Sequence, residues 1–249
     1  YAGDQPSEYA PTGVWEYIGL GRSINFANNV TRFVLMSAVV ISVVVTLFEV
    51  MNGVGSGNAV TDSVGIALGF IFAYIIGQEL DPDRRVGGVV GGIFTLGAYY
   101  IYGRGNLLVL LWLLFALRML NRSSGDRHRI VDNIIIIGSA AWLGREGFWV
   151  YPLLTGGAYI LESQIQGGYF RSLYLAGISL ACLFFAEYNS QPNMLSLYYI
   201  CLVSIAFILY LPAIRVSEYV QVKGDRSNKR LLPKRLQAMM AFFLMVLFG

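Results

Sequence analysis

Charge along this chain is sorted by side. If each apolar run crosses a bilayer and the first starts inside, sixteen of the 18 Lys and Arg residues fall on one, cytoplasmic, side. They are Arg22, Arg32, Arg84, Arg85, Arg118, Arg122, Arg127, Arg129, Arg171, Arg215, Lys223, Arg226, Lys229, Arg230, Lys234 and Arg235. Only Arg104 and Arg145 fall outside, and sixteen plus two makes the 18. A single missed span would invert every later connection, so this asymmetry is what the positive-inside rule leaves in a polytopic membrane protein.

The apolar runs predict helices over 33–52, 60–78, 86–102, 106–121, 130–144, 148–163, 172–187, 194–214 and 236–249. With 249 residues there is room for eight or nine spans of about 20 residues each. The expected fold is an all-α, polytopic transmembrane helical bundle. Its external hairpin turns are short, as at Gly103-Arg104-Gly105 and Gly144-Arg145-Glu146-Gly147. Residues 1–32 read as a polar cytoplasmic N-terminal segment, 33–249 as the bundle, and 214–235 as its basic cytoplasmic loop. Tyr99, Tyr100, Tyr102, Trp142, Phe148, Trp149 and Tyr151 gather at external ends, where an interfacial aromatic belt sits. The expected location is the cytoplasmic or plasma membrane, with the N-terminus inside. The chain opens at Tyr1 and its last apolar run stops at Gly249 after about 14 residues, short of the roughly 17 a span needs. It therefore reads as an excerpt or a processed product.

Scarce residues narrow the chemistry. Charged residues make up 13% of the chain, about half of what a soluble domain carries. One histidine, His128, and two cysteines, Cys182 and Cys201, exclude a zinc site of several His or Cys, a four-Cys iron–sulfur cluster and bis-histidine haem. The lysines, Lys223, Lys229 and Lys234, share one loop, so no span carries a Schiff-base lysine. The net charge of +3 resides in cytoplasmic loops, where anionic lipid rather than nucleic acid is the expected partner.

Span three opens Val86-Gly87-Gly88-Val89-Val90-Gly91-Gly92. Gly87 with Gly91 and Gly88 with Gly92 form overlapping small-xxx-small pairs, which admit a second helix backbone. That helix belongs to the same bundle or, on the sharper reading, to a homo-oligomer. A weak parallel repeat sets Phe72-Ala73 and Asp83-Arg84 against Phe115-Ala116 and Asp126-Arg127.

Candidate chemistry sits at cytoplasmic helix ends. Arg118, Arg122, Arg127 and Arg129 are expected to fork onto phosphate or a lipid headgroup. Glu79, Asp81 and Asp83 are candidates for Mg²⁺, which favours carboxylates shared with substrate phosphate. His128 is the one conventional acid or base, and Asp132 lies where it could neutralise Arg118. The plainer expectation is that these carboxylates and arginines pair and anchor the bundle.

Arg122, five residues, His128, three residues and Asp132 resembles the third signature of the type-2 phosphatidic acid phosphatases, a lipid phosphatase family. The resemblance implies a His that attacks phosphorus, an Asp that orients it and an Arg that holds the phosphate. The match covers eleven residues, from 122 to 132. The family's Pro-Ser-Gly-His element and its Lys-and-Arg-Pro element are missing, so its mechanism is not carried over.

Three function classes are compatible with these features. The leading one is a non-catalytic subunit or scaffold of a membrane assembly, whose cytoplasmic Arg/carboxylate cluster binds anionic lipid and whose Gly87–Gly92 face meets partner subunits or a second copy. The second is a membrane enzyme acting on a lipid-linked phosphate at the inner leaflet. The third is a transporter or channel, for which Glu49 and Asp62 are the polar groups toward the outer face.

Overall fold

The computed structural model describes residues 17–21, 29–84, 86–103, 105–124, 126–188, 197–217, 222 and 231–248. Among them are nine α-helices and no strand: α1 (Asn29–Met51), α2 (Ser56–Leu80), α3 (Val86–Tyr102), α4 (Leu107–Asn121), α5 (Ile130–Arg145), α6 (Val150–Gln164), α7 (Ser172–Ala181), α8 (Leu197–Val216) and α9 (Pro233–Phe248). Arg22, Arg85, Arg104, Gly125, Lys223, Arg226, Lys229 and Arg230 lie outside the described residues.

Among the described residues two helices, α1 and α2, are long and apolar enough to cross a membrane. Others are apolar but shorter. The 17 residues of α3 rise about 25 Å and the 15 of α4 about 23 Å, less than a hydrocarbon core of about 30 Å. The run expected at 172–187 is helical only to Ala181, tightens into a 3-10 turn over Cys182–Phe185, and turns extended at Ala186. There the chain is tied off by Glu187 N–H donating to Gly144 O at 3.0 Å.

The chain forms two compact units, one of residues 23–114 and one of 1–22 with 115–249. In the first, α2 packs on α1 and α3. Val34 and Ala38 of α1 meet Ala67, Phe70 and Tyr74 of α2. Hydroxyls tie the same two helices: Thr46 donates to Ser63 at 2.7 Å, and Ser42 and Ser63 lie 3.2 Å apart. The α2–α3 contact is a backbone approach. A Cβ on Gly77 would collide with Gly87 O, and one on Gly88 would stand 2.8 Å from Tyr74 O.

In the second unit α6 packs on α7 and α5, and α8 pairs with α9. Leu117, Leu120, Ile136, Leu143, Tyr159, Leu236, Met239 and Phe242 are fully buried there. From Ala116 to Asn121, α4 buries every residue, Arg118 and Asn121 included.

Candidate functional site

The polar centre of the second unit is Glu162 on α6, whose side chain is wholly buried. Its Oε1 accepts from Arg122 Nη2 at 2.7 Å and from Arg235 Nη2 at 3.5 Å. Its Oε2 accepts from Ser172 Oγ at 2.6 Å and from Tyr169 N–H at 3.2 Å. Arg235, also buried, donates further to Leu120 O at 3.1 Å and Gln166 O at 3.2 Å. Local backbone delivers these groups. Arg122 follows the end of α4 at φ 50, and is the one non-glycine with positive φ among the described residues. A left-handed residue costs roughly 1–2 kcal/mol. The strong ion pair that this turn allows offsets that cost. Gly167, at φ 79, makes the turn after α6, and a Cβ there would lie 3.8 Å from Arg122 Nη1 and 3.9 Å from Arg235 Nη2.

His128 joins this centre through Ser172, with Nε2 and Oγ 3.1 Å apart. Ser172 has one hydroxyl hydrogen and gives it to Glu162. The contact with His128 is therefore an Nε2–H donating to Ser172 Oγ, which leaves the ring's lone pair on Nδ1. Burial holds the His128 pKa below its ordinary value, outweighing the attraction of the Glu162 carboxylate. The folded state thus favours neutral imidazole, and the unfolded chain takes the proton first as pH falls. The His128 contribution to stability is complete above about pH 6.5 and is lost as the solution is acidified below it. The thermal midpoint of the wild type is expected to fall between pH 7.5 and 5.5, and that of His128→Gln to fall less. Parallel midpoint curves would remove His128 as the cause.

Asp132, fully buried in the first turn of α5, does different work. Its Oδ2 accepts from Gly19 N–H at 2.7 Å, Arg129 N–H at 2.8 Å and Leu20 N–H at 3.2 Å. Arg118 donates to Leu20 O at 3.3 Å. Carboxylate and guanidinium thus bond the N–H groups and a carbonyl of the same dipeptide and hold residues 17–21 in the unit.

Beside this framework lies a cleft of about 570 Å³. The start of α5 supplies Arg129, Ile130 and Asn133, and the start of α7 supplies Arg171, Tyr174 and Leu175. Tyr17, His128 and Tyr169 complete the wall. Arg127 and Arg171 stack on the Tyr169 ring, 5.3 and 5.6 Å from its centroid. The guanidiniums of Arg129 and Arg171 bring positive charge to the cleft, while the N-termini of α5 and α7 beside it are met by the buried Asp132 and Glu162 carboxylates. No Asp or Glu lines it among the described residues.

Of the residues singled out from sequence, His128, Arg127 and Arg129 come together at this cleft, whereas Arg118, Arg122 and Asp132 serve the internal framework. Glu79, Asp81 and Asp83 belong to the other unit. Among the described residues no three His, Cys, Asp or Glu are placed to hold a metal ion. Glu79 is buried in the last turn of α2, while Asp83 is exposed beyond Pro82. Burial raises the Asp81 carboxyl against the pull of Arg84. Glu162, Arg171, Ser172 and Arg235 are additions that sequence reasoning missed. Glu162 carried a signal, an ionisable residue in the apolar run Val150–Gln164. Buried polar atoms without hydrogen-bond partners concentrate nearby, with both amide atoms of Asn121, Arg122 Nε and Ser124 Oγ among them. Such groups cost stability and gather at functional sites. No known protein family, curated protein or solved structure matches the chain.

Proposed function

We propose that this chain is an integral membrane protein, a non-catalytic subunit or scaffold of a membrane assembly, that holds an anionic lipid by its phosphate at the inner leaflet. The membrane reading is supported by α1, where Phe33, Met36, Val40, Val43, Leu47 and Phe48 are all more than half exposed. An apolar helix with so little cover needs lipid or protein around it. On this reading the charge asymmetry favours a cytoplasmic side for the basic helix ends and the N-terminus. Under this reading the shorter apolar helices complete a polytopic bundle.

One observation carries the ligand: Arg129 and Arg171, at the N-termini of α5 and α7, line one cleft to which no carboxylate contributes among the described residues. A holding role is favoured over catalysis because Ser172 is fully buried and its hydroxyl hydrogen is committed to Glu162. That arrangement orients groups and leaves no exposed nucleophile at the serine. The test is binding of fluorescent phosphatidic acid to the full chain in detergent micelles, with phosphatidylcholine as reference. Each basic residue near a headgroup contributes about 1 kcal/mol, so Arg129→Ala with Arg171→Ala should weaken phosphatidic acid binding about thirtyfold. Unchanged affinity in that double variant, or equal binding of the two lipids by the wild type, would sink the reading.

A further inference from the structure

The size and lining of the same cleft narrow its ligand beyond a simple anion, an inference that rests on the phosphate-binding reading. The cleft is partly open to solvent, and its volume of about 570 Å³ lies in the roughly 300–1,000 Å³ range of small-molecule sites. A bare phosphate, with about five heavy atoms, would leave most of it unfilled. The rest of the wall is suited to a ring bearing hydroxyls. Tyr17 and Tyr174 are 58% and 67% exposed, so both present ring surface and a phenol to solvent. Tyr17 is not adventitious there: Asp132 and Arg118 grip the Gly19-Leu20 backbone two residues on and hold the segment in place. Asn133 accepts from the Tyr159 hydroxyl at 2.9 Å through Oδ1 and is also bonded to His128, so its amide is fixed in the wall, with two N–H groups on Nδ2 to serve a neighbour and a ligand.

We propose that the cleft takes a cyclic polyol or sugar phosphate. Arg129 and Arg171 hold the phosphate, while Tyr17, Tyr174 and the Asn133 amide hold the hydroxylated ring. Aromatic faces cover the C–H surface of such a ring, and phenol and amide groups match its hydroxyls. Sites built to bond a hydroxyl discriminate sharply against ligands that lack it. The phosphate is either free or the head of a lipid, and the experiment separates these sources.

The full chain, loaded with fluorescent phosphatidic acid in micelles, is titrated with inorganic phosphate, inositol 1-phosphate and glucose 1-phosphate. At least one sugar or polyol phosphate is expected to displace the probe at a tenfold lower concentration than phosphate. In Tyr17→Ala with Tyr174→Ala that ratio should fall toward one, with the thermal midpoint recorded to show that the variant is folded. Micellar phosphatidylinositol outcompeting inositol 1-phosphate would identify a lipid source, and equal potency a soluble one. Displacement by phosphate and by both ring phosphates at equal concentration, with the probe still bound by the wild type, overturns this proposal alone. A wild type that binds no phosphatidic acid, inositol 1-phosphate or glucose 1-phosphate when each is tested directly overturns both readings. Direct binding of a ring phosphate without any lipid affinity would sustain this proposal and remove the lipid reading.

Discussion

Glu162→Gln is expected to be the most damaging single substitution in the chain. The carboxylate is fully buried and lies between two guanidiniums, Arg122 at 2.7 Å and Arg235 at 3.5 Å. Glutamine keeps the volume and still accepts from Ser172, so packing and the serine bond survive. What is lost is the negative charge bonded to both arginines. Removing one member of a buried ion pair costs about 3–5 kcal/mol, chiefly because the partner charge remains behind. The left-handed Arg122 also loses the bond that holds it. A large fall in the thermal midpoint of the detergent-solubilised chain is therefore expected, with loss of the folded fraction at growth temperature. Adding Arg122→Gln to the variant should recover part of the loss, because one stranded charge is then gone. An unshifted midpoint for Glu162→Gln would mean that the centre is not a stability element.

How much of this arrangement is legible in the sequence depends on range along the chain. Helix positions are legible because each is a local run of apolar residues: α3 begins at Val86 and ends at Tyr102 as the sequence indicates. The α2 start lies four residues earlier than expected, at Ser56, because Ser56-Gly57-Asn58 is polar yet still helical. The basic residues before α5 are legible as candidates, since charged groups at the end of an apolar run stand out. Their division of labour is not. Whether Arg122 or Arg129 reaches the cleft depends on the φ of one residue and on a partner 40 positions away, Glu162. Arg235 looks in sequence like one more cation in a basic loop, yet it is buried at the start of α9 with backbone carbonyls from two other segments as acceptors. The acidic Glu79-Leu80-Asp81-Pro82-Asp83 string is separated in space for a related reason. Adjacent carboxylates in sequence are not adjacent ligands when a helix ends between them, with one carboxyl buried and another exposed.

Asp132→Ala should release the N-terminal segment from the second unit while leaving most of that unit folded. One buried oxygen receives three backbone N–H groups, from Gly19, Leu20 and Arg129, and alanine offers none. A buried donor left without an acceptor costs about 1–3 kcal/mol, so keeping all three in place is unfavourable. Gly19 and Leu20 escape the cost by returning to solvent. Doing so forfeits the burial of the Leu20 side chain, about 1.5–3 kcal/mol, since it is fully enclosed. The net loss is thus about 3 kcal/mol or more by these figures, and it is local. Gly19→Ala should reproduce it without touching the carboxylate, because a Cβ there would collide with Arg127 O and crowd the Arg129 side chain at 3.2 Å. Hydrogen exchange at residues 17–21 reads the outcome directly. Protection in the wild type should vanish in both variants while the amides of α5 beyond its first turn stay protected. Because Tyr17 reaches the cleft only through this clamp, both variants should also lose the preference for ring phosphates over inorganic phosphate. Retained protection at Gly19 and Leu20 in Asp132→Ala would show that the segment is held by something other than this carboxylate, and would remove Tyr17 as a determinant of a shaped cleft.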